Sequence, residues 1–212
     1  MKAKTQFLAV SLITITSCIA FAAKDADLQP TLARPGKVVF DATFEGGELG
    51  KSWAMPKGDW QIKDGAMIGK EKASDMHAAV LSLGLPRKDS IIRFSFRMDA
   101  VKMFGLSFNH AKGHLFRVNV SPGALLVSKD KDKNDAAAKG GPMGKAAAKF
   151  APGEWHTMLV EIKGAKVSVR TDNGAKVEAE DAALDVEKTG YRFVMRGDSL
   201  LLDDVKVWEV AP

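Results

Sequence analysis

Cysteine is all but missing: Cys18 is the one thiol in 212 residues. It cannot close an internal disulfide, so a stapled secreted scaffold is excluded. The fold must rest on a hydrophobic core, which a chain of this length can bury. Long apolar runs are missing too. The most apolar stretch, Phe7 to Ile15 and loosely on to Phe21, is too short to cross a bilayer as a stable helix. A strong charge of either sign is absent: 31 Lys and Arg face 26 Asp and Glu, and Lys2 and Lys4 belong to the extreme N-terminus. That surplus predicts no polyanionic partner. The basic residues form no stripe with interleaved aromatics, which excludes a nucleic-acid binder. No strand-to-helix elbow presents a nucleophilic serine, and no stretch carries a helical apolar stripe.

What is present begins with a targeting segment. Lys2 and Lys4, the apolar stretch and the small residues at Ala20-Phe21-Ala22 form the three parts of a secretory signal over residues 1–22. Export to the periplasm or the exterior follows, with no transmembrane segment in the mature chain. Ala20-x-Ala22 suits cleavage after Ala22; alternatively Ile15-Thr16-Ser17-Cys18 resembles a lipobox, which would anchor a lipoprotein through Cys18. Residues 23–36 read as a polar, Pro-containing linker.

From 37 to 210 the chain is one domain of about a dozen short strands with period-two alternation, separated by Gly, Asp, Asn and Pro. Lys63-Asp64-Gly65, Lys163-Gly164-Ala165 and Asp172-Asn173-Gly174 have hairpin spacing, so successive strands are mostly antiparallel neighbours. This predicts an all-β sandwich or barrel. Lys129 to Lys149, rich in Lys, Ala, Asp and Gly, breaks the pattern and reads as a loop or short helix. In Ile91–Met98, Phe104–Asn109 and His114–Val120 the alternation separates apolar from polar side chains. If these three strands are adjacent, Arg93, Arg97, Ser107, Asn109, Arg117 and Asn119 share one polar face. Such a face suits the hydroxyl or carboxylate groups of a sugar, or is a solvated exterior.

Several segments occur together in order: Phe40-Asp41-Ala42-Thr43-Phe44-Glu45-Gly46 before Trp53; Gly58-Asp59-Trp60-Gln61-Ile62-Lys63-Asp64-Gly65; Gly113-His114-Leu115-Phe116-Arg117-Val118; Pro152-Gly153-Glu154-Trp155-His156-Thr157 leading to Val160-Glu161-Ile162-Lys163-Gly164; and Asp203-Asp204-Val205-Lys206-Val207-Trp208. In this arrangement the chain resembles the secreted 3-keto-disaccharide hydrolase-like domain family over roughly Lys37 to Glu209. The resemblance implies a concanavalin A-like jelly-roll β-sandwich of two antiparallel sheets and action on glycosides oxidised at the sugar C3.

The Glu-x-Asp-x-x-Glu pattern of jelly-roll glucanases is absent. A ketone acidifies the neighbouring C–H, so a 3-keto-glycoside can be opened by a general base with a metal or cationic donors polarising the ketone. The candidate catalytic residues are His110 and His114, which bracket a turn, and His77. A pair of His across a turn, with Asn109 or a carboxylate, also suggests a divalent metal, calcium or a transition metal. His156 shares its phase with Met158, Val160 and Ile162 and reads as a core histidine. Arg117, Asn109, Asn119 and Lys129 are candidate substrate-binding residues, with Trp60 or Trp53 as a stacking platform, although aromatics there read more readily as core. Asp203 and Asp41 would hold a structural calcium if the last strand pairs with the first. The sequence therefore describes an exported carbohydrate-active protein that hydrolyses or eliminates 3-keto-glycosidic bonds. The alternatives are a non-catalytic, lectin-like glycan-binding module and an extracytoplasmic protein-interaction module.

Overall fold

Ten residues of extended strand cover about 33 Å, yet the rings of Phe94 and Phe104, ten apart in one strand, lie 6.0 Å apart. That folding of a single strand organises the molecule. The computed structural model describes residues 28–132 and 137–212, so the expected targeting segment and Cys18 lie outside the described residues. In chain order the strands are β1 (Pro35–Ala42), β2 (Trp53–Lys57), β3 (Asp59–Lys63), β4 (Ala66–Lys70), β5 (Ala79–Leu83), β6 (Ser90–His110), β7 (Gly113–Ser121), β8 (Ala124–Lys129), β9 (Gly141–Ala147), β10 (Trp155–Lys163), β11 (Lys166–Thr171), β12 (Lys176–Glu180) and β13 (Gly190–Val210).

The 21-residue strands β6 and β13 pair antiparallel along most of their length. β6 turns over between Asp99 and Met103. β13 does so beside it, where the register slips between Arg196 and Gly197. Gly197 has φ +104, and a Cβ there would lie 2.5 Å from the Ala100 carbonyl oxygen, so the crossing requires glycine. The N-terminal half of β6 and the C-terminal half of β13 sit in a first layer with β10, β11 and β12 on one side and β1, β4 and β3 on the other. The other two halves sit in a second layer, flanked by β7, β8 and β9 on one side and β5 and β2 on the other. Ile91–Met98 and Phe104–Asn109 are thus halves of one strand in opposite layers, not neighbours. This corrects the expected polar face: Arg93 and Arg97 leave it. Arg97 bonds Asp99 at 2.8 Å and lies over Trp155, while Arg93 lies over Trp208.

Between the layers, Phe94 and Phe96 meet Phe104 and Phe193 with ring centroids 5.2–6.4 Å apart. Each such side chain withdrawn from water contributes roughly 1.5–3 kcal/mol. His156 joins them as the sequence suggests, wedged between Phe96 and Phe150 with Nδ1 3.1 Å from Asp172.

Two segments behave differently from expectation. Lys129 to Lys149 is not wholly loop: β9 lies within it and extends the second layer through β8. Its Ala-rich sequence has little strand preference of its own, and the open edge of β8 supplies the order. The end of the presumed linker is seated on the outer face of the first layer, where the Glu161 carboxylate, fully buried, accepts the N–H groups of Thr31, Leu32 and Ala33. Arg170 balances that charge at 3.2 Å, and Ala33 packs on Ile91 and Leu159. This segment covers part of the first layer's exterior. Among the described residues no helix is long and apolar enough to cross a membrane.

Candidate functional site

The outer face of the second layer follows from alternation in three strands. In β13, Arg192, Val194 and Arg196 point away from the core that receives Tyr191, Phe193 and Met195. In β6, Ser107 and Asn109 oppose Leu106 and Phe108, and in β7, Arg117 and Asn119 oppose Phe116 and Val118. Register then aligns them across the sheet. Ser82 pairs with Arg192, Arg192 with Ser107, Ser107 with Arg117 and Arg117 with Ser128, giving one Ser-Arg-Ser-Arg-Ser row over five strands.

A depression of about 170 Å³ lies on this row. Ser107, Val80 and Val194 form its base, and His77, His114, Arg117, Arg192 and Arg196 surround them. A second recess, of about 450 Å³, lies beyond Arg117 and includes His110, His114, Lys129 and Asp130 in its lining. His114 belongs to both. A β-bulge makes this possible: the register slips between Phe108 and Asn109, so that Leu115 and Phe116 are both buried while His114 and Arg117 share the outer face.

The electrostatics of the three arginines differ. Arg117 is held bidentately by Asp130, Nε to Oδ2 at 2.9 Å and Nη2 to Oδ1 at 2.8 Å. Arg196 lies 3.3 Å from Glu71, whose other oxygen accepts the Gly197 N–H at 2.7 Å. Arg192, half-buried between them, has no hydrogen-bond or ion-pair partner among the described residues. Burial first, and the nearby Arg117 second, pull its pKa below the ordinary arginine value.

The remaining sequence candidates divide between the site and elsewhere. His77, just before β5, donates from Nδ1 to the Ala78 carbonyl at 2.7 Å. His114 Nδ1 lies 3.0 Å from Asn109 Oδ1, because His114 pairs with Asn109 and not with His110. Asn119 covers Gly105 and donates to Ser128 Oγ at 3.2 Å. Lys129 is committed to an ion pair with Asp181, which lowers the pKa of that carboxyl. Trp60 is a correction: it belongs to the first layer, is 6% exposed, and rests its ring on Gly69 while its indole N–H donates to the Lys57 carbonyl. It is thus part of the core, and Trp53 is buried likewise.

β1 does pair with the last strand, but Asp41 lies opposite Lys206 and bonds it at 2.8 Å. Asp203, three residues earlier, is buried and accepts the Asp204 N–H. The two carboxylates are therefore not brought together. Among the described residues no three His, Cys, Asp or Glu side chains are grouped as a metal requires. Sequence reasoning missed Arg192 and Arg196, although the alternation that singled out Arg117 applies equally to Tyr191–Arg196.

By sequence, the chain matches no family model and no curated protein. Solved structures resemble it in fold. The carbohydrate-binding module CBM66 from Bacillus subtilis is 13% identical, covering 74% of this chain and 96% of that one with a TM-score of 0.61. A laminarinase from a Flavobacterium species is 12% identical, covering 82% and 100% with a TM-score of 0.57. A GlcNAcα1-4Gal-releasing endo-β-galactosidase from Clostridium perfringens is 11% identical, covering 88% and 66% with a TM-score of 0.64. The fold is that of the concanavalin A-like jelly rolls.

Proposed function

We propose that the chain is an exported protein that binds carbohydrate on the outer face of its second layer. The observation that carries this reading is the Ser-Arg-Ser-Arg-Ser row, a line of hydroxyl and guanidinium donors across five strands with a depression along it. Guanidinium forks and hydroxyls at fixed spacing match the vicinal oxygens of a sugar ring. The named activities of the fold neighbours, carbohydrate binding and glycan cleavage, support the same class of ligand. Calorimetric titration of the mature chain with a panel of oligosaccharides tests the reading. Arg117→Ala should weaken binding at least about tenfold, the scale of a lost charge-assisted hydrogen bond. It should leave the melting temperature within a few degrees, because Arg117 is surface-exposed on one side. Undiminished binding would refute the placement of the site.

A second reading, cleavage of 3-keto-glycosides, is favoured by His77. His77 lines the depression together with three guanidinium groups, which sets a candidate base beside a polariser. In such a reaction the base takes the proton at the carbon next to the ketone, and the electron pair moves into the new C=C bond. The glycosidic C–O bond breaks, the leaving oxygen receives a proton, and water subsequently adds to the enone. His110 and His114 are the alternative bases. Release of product from a 3-keto-disaccharide but not from its unoxidised parent, lost in His77→Ala, is the expected result; cleavage of neither would leave the protein a binding module. Addition of a chelator tests any contribution from calcium or a transition metal.

A further inference from the structure

The three arginines on this face are not equivalent, and the difference concerns what is missing around one of them. Arg117 has Asp130 and Arg196 has Glu71, so two of the three positive charges are answered by carboxylates of the chain itself. Arg192 lies in the row between Ser82 and Ser107, is partly withdrawn from water, and has no acidic or carbonyl partner among the described residues. A half-desolvated cation without a counter-charge is unfavourable in the free protein, and a second guanidinium nearby makes it more so. A neutral sugar placed over it would remove further water and return only hydroxyl dipoles. An anion would return charge-assisted hydrogen bonds to the guanidinium fork.

We infer that the ligand of this face is an anionic glycan, with a ring carboxylate or a sulfate ester seated on Arg192; this rests on the reading that the face binds carbohydrate. Ser82 and Ser107 flank the seat and supply neutral donors. Arg117, two strands away and so about 9–10 Å off along the row, is placed for a neighbouring sugar unit. Its partner Asp130 tempers its charge, so the row has a strong anion seat and a weaker one. His77 and Arg196 border the same depression and add no acid other than Glu71, which Arg196 already holds.

The test uses the mature chain and pairs of probes that share a backbone and differ in charge: oligogalacturonate against its methyl ester, and sulfated carrageenan oligosaccharides against unsulfated agaro-oligosaccharides. One charged member should bind at least about tenfold more tightly than its uncharged counterpart, a preference that shrinks as salt is raised. Which pair shows it distinguishes carboxylate from sulfate ester. Arg192→Gln should abolish the preference, so that charged and uncharged members bind the variant alike, and should keep or raise the melting temperature because a partly buried cation is removed. Arg192→Lys, with charge but no fork, should retain part of the preference. Equal binding of charged and uncharged probes, or a preference undisturbed in Arg192→Gln, overturns the anion seat and leaves the carbohydrate reading standing. Binding of no probe overturns both. A fall in melting temperature in Arg192→Gln with the preference intact would show the residue to be structural.

Discussion

Lys188 carries a pH dependence whose sign and size can be worked out. The side chain is 3% exposed, and Nζ donates to the carbonyls of Lys88 at 2.7 Å and Leu184 at 2.6 Å. Burial pulls its pKa from 10.5 down to about 8, opposed by the charges of Asp89 and Asp185 and aided by Lys88. Below about pH 8 both folded and unfolded chains hold the proton, and the folded state bears a penalty of about 3 kcal/mol. Between about pH 8 and 10.5 the unfolded chain binds more protons than the folded one, so stability rises with pH. By about pH 9.5 the linkage relation returns about 2 kcal/mol of that penalty, roughly 4–8 °C in melting temperature for a domain of this size. Tyr191, pushed up to about 12 by burial, acts in the opposite sense above pH 10, so stability should pass through a maximum near there. Urea unfolding at about pH 7 and about pH 9.5 measures the rise. Lys188→Met should remove the slope while changing stability at neutral pH by little, since relief of the buried charge offsets two lost hydrogen bonds. A flat or falling profile in the parent chain, or an equal rise in Lys188→Met, would refute the reasoning.

Two further outcomes follow from packing and from the seated N-terminal segment. A Cβ at Gly69 would stand 2.3 Å from the Trp60 ring, so Gly69→Ala should destabilise by about 1–3 kcal/mol and alter the Trp60 fluorescence on unfolding; an unchanged urea midpoint would show that the ring moves aside freely. Glu161→Ala strips the acceptor from three backbone N–H groups and leaves Arg170 unbalanced. The cost should be about 3–5 kcal/mol, and residues 28–34 should become cleavable under native conditions. Protease resistance equal to that of the parent chain would contradict the role given to Glu161.

Local alternation was enough to read the fold class and much of the face. Arg117, Asn109 and Asn119 point outward because Phe116, Val118 and Phe108 must point inward, and that rule needs no knowledge of neighbours. His156 was readable as core for the same reason. Two histidines on a turn, by contrast, looked like partners, and only the bulge at Leu115 decides that His114 meets Asn109.

Long-range pairing decided the rest. Whether Ile91–Met98 and Phe104–Asn109 are two strands or one folded strand depends on β13 turning with β6 at Gly197, a contact across about a hundred residues that no local pattern reports. Trp60 had the composition of a sugar platform and became core because β4 presents Gly69 opposite it. β9 formed from an alanine-rich stretch because β8 offered an edge. The Ser-Arg-Ser-Arg-Ser row exists only through the registers of five strands, and the vacancy of charge at Arg192 only through where Asp130 and Glu71 fell. Alternation along a strand is set by the geometry of the peptide backbone, which every sequence carries with it. The neighbours of a strand, and hence the chemistry across it, are set by which distant surfaces the collapsed chain can bury together.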